Sequence, residues 1–318
     1  MQACAERVFE RFTAYTPLER KAWMTVGTPG LHVRPAQARI ASETLENRSM
    51  KSLFVSLILG CLQLSASAHE FWLAAQPVAP AAKGSTTVTL HIGEYFEGAP
   101  IGLTAAHAAA IRLHSRMGIE DLGKQVPATG MQLGIKLSFQ RPGTHVLTYE
   151  SHPSQIVLSA DKFHAYLHDE GLDAIIARRE ADGTATQPAR ERFRRSAKLL
   201  LRVGDKSDGT YAVRTQQRVE ITPTTDPLSA AVGQPLRFKL RFDGKPLAGV
   251  LLKAWHRRGP QTLMIRTVAD ADGHVTLELP FSGRWLLSAV HMEPVTDSQD
   301  LDWDSFWGSL AFDLRSRK

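Results

Sequence analysis

Cysteine is scarce in this sequence, with only Cys4 and Cys61 among 318 residues. The sequence also lacks a long hydrophobic run: the stretch from residue 53 to 64 is shorter than the roughly 20 apolar residues of a membrane-spanning helix. The first deficit excludes a disulfide-rich scaffold, and the second excludes a transmembrane helix at this point.

Residues 50–68 have the pattern of a secretory signal peptide. Lys51 gives a basic start, residues 53–64 have the length of an h-region, and Ala66-Ser67-Ala68 forms a small-residue cleavage site. Cleavage after Ala68 makes His69 the first residue of the mature chain. An amino-terminal histidine offers a metal ion both its α-amine and its imidazole, in a chelate that no internal histidine can form.

Residues 1–49 are interpreted as an over-extended, disordered start, because a targeting segment normally lies at the very N-terminus. A rival interpretation of the next segment is a lipoprotein signal, since Ile58-Leu59-Gly60-Cys61 loosely resembles a lipobox. Acylation at Cys61 would keep His69 inside the chain and abolish the amine ligand. The pattern favours the cleavable signal peptide, and hence a periplasmic protein that meets the membrane only through a partner.

The predicted mature chain, residues 69–318, is nearly balanced in charge and has no cysteine. It keeps 30 Lys/Arg and 27 Asp/Glu, a formal net charge of +3, which gives no argument for a nucleic-acid partner. It keeps eleven of the twelve histidines. This composition excludes disulfides and thiolate metal sites, and it leaves imidazole as the main candidate metal ligand.

Hydrophobic periodicity predicts a mainly β protein with a helical insertion. Alternation over residues 87–92 predicts a strand, and the alternating segments 131–139 and 144–150 predict a β-hairpin. From Ala160 the apolar period becomes helical, and a second helix is predicted from Pro188 through Leu201. The basic residues of that second helix are expected to form a solvated face: Arg190, Arg192, Arg194, Arg195 and Lys198.

The segment after Pro223–Pro227 is again rich in predicted strands. These cover residues 236–242, 250–256, 263–268, 275–279, 285–291 and 310–314, with residues 270–273 as a hairpin turn. The predicted fold is two immunoglobulin-like or transthyretin-like β-sandwich modules. The predicted domains are 69–155 (N-terminal β domain), 156–222 (helical insertion and connecting segment) and 223–318 (C-terminal β-sandwich).

Five histidines are candidate metal ligands. His291 and His256 each end a predicted strand, and loops on rigid scaffolds are where binding sites are usually built. His164 and His168 lie four residues apart on the first predicted helix, so both imidazoles lie on one side of it. This pair is the weaker candidate, because it lacks the His-Glu-x-x-His arrangement. His69 completes the set.

Several motifs together resemble one bacterial family. They are HEFWL (69–73), FHAYLHDEGLD (163–173), FDGKPLAGVLLKAW (242–255), TVADADGHVTLELPFSGRWLLSAVHM (267–292) and DWDSFWGSLAFDL (302–314). They resemble, in the right order, the domain-of-unknown-function family described as the periplasmic component of ABC-type cobalt/nickel uptake systems. The resemblance implies a binding protein rather than an enzyme, with nickel or cobalt as its ion, an inner-membrane metal transporter as its partner, and His69 and His291 as matching positions.

Two other functions stay open at this point. Copper also binds nitrogen ligands tightly, and an amino-terminal histidine that chelates copper on a β-sandwich is the arrangement of copper oxygenases, which would make the protein an enzyme. Alternatively, the protein is a structural or polysaccharide-contacting β-sandwich, in which the five tryptophans after residue 69 are core or surface aromatics.

Overall fold

Residues 69–316, which the computed structural model describes, form seventeen strands and two α-helices. The strands are β1 (Glu70–Gln76), β2 (Ser85–Glu94), β3 (Glu97–Ile101), β4 (Ala108–Ser115), β5 (Gly118–Asp121), β6 (Ile135–Ser138), β7 (Gly143–Ser151), β8 (Ser154–Leu158), β9 (Ala189–Val203), β10 (Val219–Pro223), β11 (Pro235–Phe242), β12 (Lys245–Pro246), β13 (Leu251–Arg258), β14 (Gln261–Val268), β15 (His274–Glu278), β16 (Gly283–Pro294) and β17 (Trp303–Leu314). The helices are α1 (Ala160–Asp169) and α2 (Asp173–Ala181). The predicted signal peptide and the segment before it lie outside the described residues.

The strands form three sheets, so the mainly β prediction is confirmed. A nine-stranded sheet has the order β14-β13-β16-β17-β9-β7-β4-β5, with β8 also paired with β9. One four-stranded sheet contains β1, β2, β3 and β6, and the other contains β10, β11, β12 and β15. The nine-stranded sheet takes strands from both predicted sandwich modules. The immunoglobulin-like two-module arrangement is therefore not confirmed.

The second predicted helix is wrong, because Pro188–Leu201 lies largely in β9, a strand of 15 residues. β9 pairs in parallel with β17, with Arg192 opposite Asp304. The arginines at alternate positions 190, 192 and 194 bind aspartates of the segment 297–304. They are not the solvated face of a helix. Their partners lie more than 100 residues away in sequence, so local periodicity could not reveal them.

Two turns that were predicted to close β-hairpins instead join strands of different sheets. Residues 131–139 and 144–150 were predicted to pair, but β6 pairs with β2 and β7 pairs with β4 and β9. The turn at residues 270–273 likewise joins β14, paired with β13, to β15, paired with β11. Turn-forming residues mark where the chain reverses, but they do not determine which strand pairs with which.

The core has three parts, each built on the nine-stranded sheet. β1 packs against β9 and β17, and six of its seven residues are buried. Such a strand reads as a continuous apolar run rather than an alternation. The second four-stranded sheet covers another region, around Phe238 and Trp285. The predicted helix starting near residue 160 is confirmed as α1, which buries Phe163, Tyr166 and Leu167 against Trp303 and Trp307.

No helix within residues 69–316 is long and apolar enough to cross a membrane.

Candidate functional site

His69 lies at the start of β1, next to the end of β2. Antiparallel pairing sets Glu70 opposite Gly93, which brings Glu94 beside His69. His69 Nε2 is 3.9 Å from Glu94 Oε1, and the two side chains are 34% and 41% exposed. This separation is longer than a hydrogen bond, so Glu94 acts on the imidazole mainly through its charge. The pair is an accessible histidine with an acidic neighbour at one point of the surface.

The residue after His69 is anchored in the protein interior. Glu70 is buried, and its Oε1 lies 2.8 Å from Nζ of Lys253, which is also buried. The same ammonium group contacts Glu170 Oε2 at 2.7 Å. A buried charge persists only when it is paired, so Glu70 holds the start of β1 against β13 and the end of α1.

The Glu70–Lys253–Glu170 cluster sets the charge state of this part of the interior. Burial lowers the pKa of Lys253, but the charges of Glu70 and Glu170 outweigh burial and leave it raised. Burial raises the pKa of Glu170 to about 7, against the opposing effect of Lys253. Lys253 therefore stays charged at neutral pH, and Glu170 is the member of the cluster that titrates there.

His256 is a core residue of β13, 5% exposed. Its Nδ1 donates a hydrogen bond of 2.9 Å to the backbone oxygen of Arg284. Its ring stacks on Trp285 at 4.7 Å between centroids and on Phe281 at 5.6 Å. Burial lowers the pKa of His256. The arrangement is typical of a neutral histidine that serves packing.

His291 lies on β16 and is about three-quarters buried. Its Nε2 is 3.2 Å from Glu293 Oε1, and its ring centroid is 4.3 Å from that of Phe242. His256 lies opposite Trp285, six positions before His291 on the same strand. At about 3.3 Å per residue this separates the two histidines by roughly 20 Å, so one ion with bonds of about 2 Å cannot bind both.

His164 and His168 lie on the solvent side of α1. The buried residues of this helix are on its opposite side, and His168 Nδ1 is 3.7 Å from Asp173 Oδ1. Within residues 69–316 no group of three or more His, Cys, Asp or Glu side chains could hold a metal ion. The structure thus does not gather the five candidate histidines, and it brings Glu94, which sequence reasoning missed, to His69.

Sequence reasoning also missed Arg195 and the cavity beside it. The cavity is partly open to solvent and has room for about one water molecule. Its walls are Glu70, Phe71, Arg195, Ser196, Trp307, Gly308 and Ser309. One signal was present in the sequence: Arg195 follows Arg194 directly. Neighbours in a strand point to opposite faces, so one of the two arginines must face inward.

Comparison with known proteins gives a family but no activity. No curated protein matches the chain. The model of the family described as Domain of unknown function (DUF4198) matches residues 66–293, well over half of the sequence, and the chain belongs to this family.

Proposed function

We propose that this chain is an exported, periplasmic metal-binding protein, and that His69 is the first residue of its mature form. The observation that carries the proposal is the position of His69: it follows a predicted cleavage site directly, and an acidic side chain lies 3.9 Å from its imidazole. Its α-amine and Nδ1 would form the chelate. Glu94 lies on the Nε2 side of the ring, so its carboxylate would face the imidazole from the side opposite the chelate.

The anchored Glu70 supports a preformed site. A terminal residue is usually mobile, and ordering it on binding costs conformational entropy. Here the next residue is buried and paired with Lys253 2.8 Å away, so the backbone that carries the amine is fixed before the ion arrives. Less entropy is then lost when the metal binds.

The donor set favours a divalent ion of the late first transition series. Amine and imidazole nitrogens suit nickel, cobalt, copper and zinc, and the absence of thiolate disfavours Cu(I). The resemblance to cobalt/nickel uptake components makes nickel or cobalt our choice, with copper as the competing ion. A chelate from one residue leaves coordination positions open, which suits a carrier that gives its ion to an inner-membrane transporter.

The first prediction concerns the mature terminus. Protein that starts at His69 should bind one Ni²⁺ or Co²⁺ per chain. Adding one residue before His69 converts the amine into an amide and should weaken binding at least about tenfold, because one chelate ligand is lost. His69→Ala should weaken binding equally. Isothermal titration with nickel, cobalt and copper measures this, with intact-mass confirmation of the terminus.

The matched control is His164→Ala, which removes an exposed histidine elsewhere and should leave the affinity unchanged. Binding should also weaken below about pH 7, because the amine, with a reference pKa of about 7.7 to 8.0, must lose its proton. Equal affinity of the mature, extended and His69→Ala forms would overturn the proposed function. Reductant-dependent oxygen consumption by the copper-loaded protein would replace it with an enzymatic one.

A further inference from the structure

Two exposed histidines, His107 and His152, lie opposite each other at the ends of two neighbouring strands. His107 directly precedes β4, and His152 directly follows β7. These strands pair antiparallel with Ala108 opposite Ser151, and one step further the His152 N–H donates a hydrogen bond of 2.9 Å to the His107 oxygen. Opposite residues of an antiparallel pair project to the same face, with Cβ atoms about 5 Å apart. Two imidazoles at this separation can bind one metal ion between them.

The backbone that carries the two histidines is ordered. The His107 oxygen also accepts a hydrogen bond of 3.1 Å from the Tyr149 hydroxyl, and the His107 N–H donates to the Thr104 oxygen at 3.2 Å. His152 precedes Pro153, and a residue before proline favours an extended backbone. Little backbone entropy is therefore lost when an ion binds here.

The ring of His107 is oriented for binding through Nε2. Its Nδ1 forms a hydrogen bond of 2.9 Å with Thr104 Oγ1. When Nε2 binds a metal ion, the ring proton lies on Nδ1, which then donates to Thr104 Oγ1. A hydrogen bond from the second ring nitrogen orients most metal-bound histidines in proteins. Thr104 is thus a positioning residue for His107.

The surroundings leave both imidazoles accessible. The side chains of His107 and His152 are exposed, and every other residue of the segment 105–110 is alanine, which is too small to cover a ring. Glu150 lies two residues before His152, and its Oε1 is 3.0 Å from the Arg112 guanidinium. Because Arg112 holds this carboxylate, the two imidazoles are the ligands that the face offers.

We propose that His107 and His152 form a second metal site, which binds a divalent ion such as Zn²⁺ through one ring nitrogen of each residue. Imidazole suits zinc, copper and nickel, and water completes the coordination at an exposed position. The site joins side chains from two strands, whereas the proposed His69 chelate comes from one residue, so more side-chain freedom is lost when it binds. In the mature protein it therefore fills after the His69 chelate.

The test uses residues 69–318 carrying His69→Ala, so that the proposed chelate cannot contribute. Protein labelled with ¹⁵N-histidine is titrated with Zn²⁺ while the ring ¹⁵N resonances are followed, and isothermal titration gives the affinity. The His107 and His152 resonances should shift with one shared midpoint. His107→Ala and His152→Ala should each weaken binding at least about a hundredfold, because the second ligand no longer binds intramolecularly. Thr104→Val should weaken it about tenfold.

The matched control is His164→Ala, which removes an exposed histidine of α1 and should bind Zn²⁺ at the His107 and His152 rings as the parent does. Far-UV circular dichroism checks that each variant is folded. Separate midpoints for the two rings, or unchanged affinity of His107→Ala, would show that the histidines act independently and would overturn the proposal. Every protein compared lacks His69, so neither result bears on the proposed amino-terminal chelate.

Discussion

A buried lysine between two glutamates controls the charge beside the start of β1. Lys253 contacts Glu70 at 2.8 Å and Glu170 at 2.7 Å. With both acids ionised the cluster carries one excess negative charge in a desolvated place, and one carboxyl therefore takes up a proton more readily than in water. Glu170, whose pKa burial raises to about 7, is that carboxyl.

This raised pKa predicts a pH-dependent stability. Below about pH 4.5 Glu170 is protonated in both the folded and the unfolded chain, whereas between about pH 4.5 and 7 the folded chain holds the extra proton. The contribution of Glu170 to the free energy of unfolding should therefore fall as pH rises through this window, by an amount on the order of 2 kcal/mol. Urea denaturation at pH 5 and pH 8 measures it against Glu170→Gln, which cannot titrate.

Comparison with Glu170→Gln removes the effect of the other titrating groups. Burial lowers the pKa of His91, His114, His145 and His256. The stability that these histidines contribute rises with pH, in the opposite direction to that of Glu170, but both proteins contain them. Relative to the wild type, the variant should gain stability from pH 5 to pH 8. A constant difference between the two proteins would contradict the assignment of the proton to Glu170.

The sequence identified histidines as candidate metal ligands, but it did not reveal what surrounds each of them. His256 ends an alternating segment and resembles a ligand at a strand end. The rings that enclose it, Phe281 and Trp285, come from 25 and 29 positions later in the chain. Glu94 reaches His69 only because β1 and β2 pair in one register. Both outcomes depend on strand pairing, which one sequence without its structure does not specify.

At the scale of elements, β9 is the centre of the molecule's ionic contacts. Its arginines meet aspartates of β17 and of the loop before it, and Arg192 binds both Asp304 and Asp297. Arg192 and Asp304 are only 18% and 14% exposed. Partial burial protects this pair from solvent screening, so it contributes more than an ordinary surface pair.

Removing the charge of Arg192 should measure this contribution. Arg192→Gln is expected to lower the free energy of unfolding by about 1–2 kcal/mol, because it leaves Asp304 with fewer charged partners. The matched control is Arg178→Gln in α2, whose pair with Asp182 is more than half exposed on both sides and should cost less than about 0.5 kcal/mol. Urea denaturation of both variants gives the comparison. Equal losses would show that burial adds nothing to the Arg192 pair.

β11 and β15 were predictable because their alternation is clean and turn residues bound them. β9 was not predictable in this way. Phe193, Ala197 and Leu200 are spaced as on a helix, while the alternation of Arg190, Arg192 and Arg194 has the period of a strand. The second pattern decides the structure because β17, β7 and β8 all pair with this segment.

At the scale of the whole described chain, the nine-stranded sheet joins residues on both sides of the helices. β4 and β7 belong to the N-terminal part of the chain, yet β7 pairs with β9, and β9 pairs with β17. A fragment of residues 69–155 would therefore lack the strand that completes its half of the sheet. We expect this fragment to remain unfolded, with poor dispersion in its ¹H–¹⁵N spectrum.

The same connectivity predicts one cooperative transition when residues 69–318 unfold in urea. Circular dichroism and the fluorescence of tryptophans from both ends of the chain, Trp72 and Trp303, should report the same midpoint. A folded fragment 69–155, or two separated midpoints, would instead support two independent modules.

The position of β17 also has a consequence for the order in which the protein can fold. β17 is the last strand along the chain, but it lies between β16 and β9 inside the sheet. During synthesis, β9 emerges about 100 residues before its parallel neighbour. Until then β9 and β16 each have one edge without a neighbouring strand, and such edges readily associate with other chains. The protein therefore has a long vulnerable interval before its sheet can close.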